Sequence, residues 1–195
     1  MFRVFLAVVD VIPAAVVLVP LFGIMYVTVY SRNLRNSVIC CLFCLYLTAV
    51  FSLAGIPNVA YLQPGINLNL IPFVGMIEDF KNCILNVVLF VPLGVFLPVL
   101  GQRFRRAGSC AVFGFGLSLM IELLQMLTFR ATDVNDLITN VFGTLLGFVL
   151  ASPLVKKVPA AGKGAYEPYF LCALSFGVMF FIHPFLSPLM WDSLL

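Results

Sequence analysis

The sequence predicts an all-α protein, a polytopic bundle of about six transmembrane helices with a partly apolar loop on the outer side. Two observations carry that prediction. Of 195 residues, 63% are hydrophobic and 10% charged, against roughly 25% charged in an average soluble domain. The apolar residues also gather in runs long enough to cross a bilayer, which takes about 20 helical residues. Such runs fill the chain and leave no room for a soluble domain of useful size.

The runs fall, in order, near 4–30, 38–56, 82–100, 109–128, 137–155 and 168–186. Asp10 interrupts the first, and no small-residue cleavage site follows it, so it reads as a retained span rather than a signal peptide. Pro13, Pro20, Pro92 and Pro98 lie inside or near the ends of runs. Neighbouring helices can satisfy the carbonyls they free, so kinks are expected and breaks are not. Three parts follow: two N-terminal spans in 1–57, a core of one outer loop and three spans in 58–155, and a last span with a short tail in 156–195. The loop at 58–81 mixes Pro57, Pro64, Gly65, Pro72 and Gly75 with Tyr61, Ile71, Phe73 and Ile77. It is too apolar to be freely solvated and reads as re-entrant or interface-lying.

Orientation follows from Lys and Arg. Loops on one side hold Arg32, Arg35, Arg103, Arg105, Arg106, Lys156, Lys157 and Lys163, and the other side holds Arg3, Lys81 and Arg130. Eight against three puts the first set in the cytoplasm. Both termini and the loops at 58–81 and 129–136 are then external.

Several function classes drop out. The net charge of +3 comes from short basic clusters rather than a stripe, so nucleic acid is not implied. All six cysteines lie in or at the start of apolar segments and read as packing residues, including Cys41 and Cys44. His183 has no acidic residue near it in sequence and reads as a boundary residue. Trp191, in the expected tail, reads as an aromatic interface anchor. No serine nucleophile motif, zinc helix or aspartyl pair of the intramembrane-protease kind is present.

Chemistry concentrates between Glu122 and Gly147. An ionisable group in hydrocarbon costs roughly 2.5–3.5 kcal/mol on insertion scales, so a group of them must be paired, hydrated or bound to something. Asp133, Asp136, Asn140, Gly143 and Gly147 share one helical stripe at about 100° per residue. Gly114, Ser118, Glu122 and Gln125 share another. The short connection between the two helices makes them antiparallel neighbours, so the stripes should face each other. Glu122 is expected roughly 9 Å below the end of its span at 1.5 Å per residue. Arg130 lies between the stripes, able to pair with an acid or hold an anion such as phosphate through bidentate bonds. Asn82 and Asn86 add amides one turn apart.

Glu122, Asp133 and Asp136 outnumber Arg130. A purely structural network would keep that excess, whereas proton uptake by Glu122, a divalent cation or a cationic ligand would balance it. Hard oxygen ligands suit Mg²⁺ or Ca²⁺, yet no dedicated metal motif is present and no cofactor is predicted.

At these residues the sequence resembles the VanZ-like family of bacterial membrane proteins, named for a protein associated with teicoplanin resistance. One block is Asn86-x3-Phe90-x-Pro92-x-Gly94, preceded by Asn69-Leu70-Ile71-Pro72-Phe73. The other runs from Glu122 and Gln125 through Arg130, Asp133 and Asp136 to Asn140, Gly143 and Gly147. The resemblance covers roughly 69–155 and implies a cell-envelope role in the plasma membrane. The leading functional reading is an outward-facing polar pocket of Asn86, Glu122, Gln125, Arg130, Asp133, Asp136 and Asn140. Phe90, Pro92, Gly94, Gly143 and Gly147 form its frame. Its ligand would be a lipid-linked cell-wall precursor, a lipoglycopeptide or a lipid head group. A second reading is a membrane enzyme acting on a lipid or its phosphate-bearing head group, with Glu122 or Asp136 as general base and Arg130 steadying charge. A third is a small transporter, although broken half-helices and repeat symmetry are absent.

Overall fold

Among the described residues, seven helices follow from the apolar runs, and six stretches of them are long and apolar enough to cross a membrane. A computed structural model describes residues 2–30, 33–60, 62, 65, 68–69, 71–76, 79–128, 132–155, 159–161 and 166–194. Its helices are α1 (Phe2–Thr28), α2 (Leu34–Ala54), α3 (Phe80–Leu100), α4 (Ala107–Gln125), α5 (Val134–Val155), α6 (Glu167–Gly177) and α7 (His183–Leu194). A π-helical turn, Val178–Ile182, joins α6 to α7 as one span, Glu167–Asp192. The prolines at 13, 20, 92 and 98 all lie within continuous helix. The expected tail around Trp191 is instead part of α7, because no breaker follows Pro188, which is itself inside that helix.

The chain divides into two compact units, Gln63–Ala160 on the one hand and Met1–Leu62 with Ala161–Leu195 on the other. In the second, α1, α2, α6 and α7 pack together around Leu18, Phe43, Leu47, Phe51 and Leu171. The Asn33 side chain accepts the Asn36 N–H to start α2, and Gly55 ends it in the left-handed conformation (φ 63°) that glycine tolerates without strain.

In Gln63–Ala160, α3 packs most closely on α5, and α4 packs on α5 from another side. Small residues permit this. A Cβ at Gly94 would overlap the Thr144 carbonyl, one at Gly143 the Val87 carbonyl, and one at Gly147 the Val91 carbonyl. Backbone thus meets backbone, the approach that small-xxx-small spacing allows. The α4 stripe faces the same helix, where Gly114 lies against the Thr144 side chain and Ser118 is fully buried. Above the helix ends, β1 (Leu68–Asn69) pairs in parallel with β2 (Thr132–Asp133), so the long loop is tied to the segment that enters α5. Within 58–81 the described residues are 58–60, 62, 65, this bridge, the turn at 71–76 and 79–81, where α3 starts. Tyr61, Pro64 and Ile77 lie outside the described residues.

Candidate functional site

The site assembles where α4 ends and α5 begins. Glu122 stands in the last turn of α4, because the helix ends at Gln125 rather than near 128. That is shallower than the sequence reading placed it, yet the side chain is only 3% exposed. Burial of a carboxylate demands donors, and Glu122 Oε2 accepts the Asp133 backbone N–H at 2.9 Å. The Glu122 carbonyl accepts from Thr132 Oγ1 at 3.0 Å. Both bonds hold the segment that follows the interhelical turn.

Asp133 continues the chain of contacts. Its Oδ1 accepts the Asn135 N–H at 2.8 Å, capping the first turn of α5, and its Oδ2 accepts from Asn69 Nδ2 at 3.1 Å, across the β1–β2 bridge. A carboxylate here also suits the positive end of the α5 dipole, as does Asp136 in the first turn. Asn135, 3% exposed, holds the outer loop from both sides. Its Oδ1 accepts the Phe73 N–H at 2.7 Å and its Nδ2 donates to the Val74 carbonyl at 2.9 Å. One turn on, Thr139 Oγ1 donates to the Asn135 and Asp136 carbonyls.

Deeper between α4 and α5, Asn140 Nδ2 donates to Ser118 Oγ at 2.9 Å, so the two stripes do face each other. Asn140 is 4% exposed, and its Oδ1 has no hydrogen-bond partner among the described residues. An unsatisfied buried carbonyl of this kind invites a water or a donor from a ligand.

Of the seven residues predicted to bind, Glu122 and Asp133 are directly joined, and Asn140 lies below them on α5. Gln125 is buried and Asp136 half-buried, and both are engaged with partners. Asn86 is half-buried on α3, with no hydrogen bond to the others among the described residues. Arg130 lies outside the described residues. Among the described residues, no group of three or more His, Cys, Asp or Glu is placed to hold a metal ion. The frame residues Gly94, Gly143 and Gly147 are the α3–α5 contact itself. Phe90 is buried on α3 and Pro92 half-buried. Sequence reasoning missed Asn135: its spacing from Asp133 signals a helix cap through its backbone N–H, but nothing local signals the grip of its side chain on the outer loop.

A model of the VanZ/LLP1 family matches residues 17–156. The chain belongs to the VanZ/LLP1 family. With six spanning-length helices, this VanZ-family chain is a multi-pass membrane protein. Protein VanZ of Enterococcus faecium is 39% identical to it over 87 residues, which make up 43% of this chain and 52% of that relative. The chain thus spans about half the length of the curated relative it matches. No solved structure matches it.

The structure also changes the reading of His183. Its Nε2 lies 3.5 Å from Asp10 Oδ1, a residue remote in sequence, and Asp10 Oδ2 accepts from Ser52 Oγ at 2.6 Å. The histidine therefore has an acidic neighbour that only the packing of α1 against α7 supplies.

Proposed function

We propose that this protein works in the bacterial plasma membrane, with the α4–α5 end of its family-matched region facing outward to recognise a lipid-linked or amphiphilic molecule. The observation that carries this is the buried Glu122–Asp133–Asn135 network. It fixes an otherwise irregular loop over the helix ends and keeps polar groups, including the unpartnered Asn140 carbonyl, near one end of the membrane-crossing helices. The excess of basic residues in the opposite loops supports the outward orientation. Likeness to Protein VanZ supports a cell-envelope role, with lowered susceptibility to lipoglycopeptides such as teicoplanin as its phenotype. A lipid-linked wall precursor or a lipid head group offers the same chemistry: polar groups at the interface and a chain in the hydrocarbon. Catalysis with Glu122 or Asp136 as general base fits less well, because Glu122 is 3% exposed and a base must come within hydrogen-bond reach of the substrate proton.

The test is drug susceptibility in a sensitive host. Cells expressing the wild type should tolerate more teicoplanin than vector controls, with little change for vancomycin. Asp136→Asn and Glu122→Ala, at confirmed membrane levels, should lose most of that protection. Equal teicoplanin susceptibility in every strain would remove the resistance phenotype from the proposal.

A further inference from the structure

A cleft of about 490 Å³ lies between α3 and α5, outside the hydrogen-bonded network. Met76, Phe80 and Thr139 line it at one end, Val88 and Phe142 at the other, with Ile84 between. Its walls offer nothing to a polar guest. The Thr139 hydroxyl is bonded to its own helix, and the Cys83 thiol points at the Met76 carbonyl, 4.0 Å away. Water holds poorly in such a space, which lacks the two to four polar partners it needs. From Phe80 to Val88 the α3 axis rises about 12 Å, most of one leaflet of a hydrocarbon core roughly 30 Å thick. Spread over that length, the volume gives an apolar channel of about 40 Å² in section, open along one side. Its length, apolar walls and place along one leaflet suit one hydrocarbon chain.

The two ends of the cleft differ. At the mouth, Asp79, Asp133 and Asp136 all lie close enough to act electrostatically on Cys83. Met76 belongs to the turn that Asn135 grips at Phe73 and Val74. In that turn Phe73 adopts φ 67°, a left-handed conformation that bulky residues avoid. The grip keeps Ile71, Phe73 and Val74 exposed at 64%, 70% and 55% beside the mouth. Strain maintained by a buried anchor is the kind of feature that accompanies binding.

We propose that the α3–α5 cleft seats a single acyl chain of a membrane amphiphile, with the turn at 71–76 as its rim. This rests on the recognition reading above and adds where the chain of such a ligand goes. An ordinary boundary lipid would touch every outward apolar face alike, which gives the control. Reconstitute the protein in vesicles of equal parts phosphatidylglycerol and phosphatidylethanolamine, doped with a phospholipid carrying a diazirine in its acyl chain. Irradiate, digest and map the adducts. Labelling at Ile84, Val88 and Phe142 should exceed severalfold that at Val112, Phe115 and Val149, which are equally outward on the same unit. Val88→Trp, a filling change at an exposed position, should cut labelling of Ile84 and Phe142 severalfold and leave Val112 unchanged. Phe73→Gly, which accepts the positive φ without strain, should also lower cleft labelling, because it removes the rim and spares the fold. Even labelling over cleft and control faces, or labelling indifferent to Val88→Trp, overturns the proposal. Selective cleft labelling in a protein that confers no teicoplanin protection would sink the resistance phenotype and leave the chain seat standing. Protection with even labelling would do the reverse.

Discussion

In Gln63–Ala160 a buried carboxylate and a buried amide hold the backbone of loops, whereas around α1 the acidic side chains of Asp10 and Glu167 are held by other side chains. Glu122, Asp133 and Asn135 grip the N–H and carbonyl groups of two loops. Around α1, by contrast, Tyr30 Oη donates to Glu167 Oε1 at 2.5 Å, Ser52 donates to Asp10, and His183 stands beside that same carboxylate. The difference has a physical meaning. Side-chain pairs between helices fix which helices are neighbours, and an apolar replacement of both partners can achieve the same. Backbone gripped by side chains fixes the shape of a loop, which apolar packing does poorly. The unit that shapes a loop is the one holding both motif blocks of the family resemblance.

The helices differ in the same sense, and here the largest effect is expected. Gly94, Gly143 and Gly147, at the α3–α5 contact, meet backbone atoms of the facing helix, while Gly23 in α1, Gly177 at the end of α6 and also Gly108 and Gly116 in α4 have open space where a Cβ would go. Gly94→Ala should therefore cost about 3 kcal/mol, the upper part of the overpacking range, because a backbone carbonyl cannot step aside as a rotamer can. Gly23→Ala should be neutral or stabilise by about 0.5–1 kcal/mol, the usual gain from alanine in a helix interior. Thermal unfolding in detergent reads both. A Gly94→Ala protein that melts with the wild type would erase this contrast between the α3–α5 contact and the other helices.

Next in size is the loop anchor. Asn135→Ala leaves the Phe73 amide and the Val74 carbonyl without their partner and should cost about 2 kcal/mol, the penalty of unmet polar groups in a partly buried place. The stronger readout is local: hydrogen exchange at Phe73 should accelerate sharply while the α3–α5 amides stay protected. Asn135→Asp keeps an acceptor for the Phe73 amide and loses the donor to Val74, so it should fall between. If exchange at Phe73 is unchanged in both variants, the loop is held by something else and the distinction between the units loses its main support.

Most of the architecture was legible in the sequence because its cause is local. Apolar runs of spanning length dictate helices in lipid, and the facing stripes of α4 and α5 followed from periodicity and a short turn. The helix ends were less legible, since hydropathy continues through Met126 and Leu127 although α4 stops at Gln125. That shift alone moved Glu122 from roughly 9 Å below the helix end to the final turn. Two further features were illegible because they arise only from packing. The roles of Asn135 and Asn69 depend on the outer loop returning to β2, a contact between segments 61 to 64 residues apart. The Asp10–His183 pair depends on α1 lying against α7, and no spacing rule links residues at opposite ends of a chain.

The smallest effect tests the other side of the comparison. Tyr30 is 1% exposed, and burial, reinforced by the neighbouring Cys40 thiol and Glu167 carboxylate, pushes its phenol above the usual value near 10. The folded protein thus keeps the phenol proton at pH values where the unfolded chain releases it. Stability from this group is fully present below about pH 10 and falls as pH rises beyond it, since the unfolded state then binds fewer protons. Tyr30→Phe should cost about 1 kcal/mol near neutrality, the net worth of one hydrogen bond, and should flatten the alkaline decline seen in the wild type. Because this tie joins side chain to side chain, adding Glu167→Leu should recover part of that loss, whereas no second substitution at Phe73 or Val74 can repair Asn135→Ala. Melting curves at pH 7 and above pH 10 for the single and double variants decide it: a double variant no better than Tyr30→Phe would mean that the helices around α1 also need their polar tie for its shape.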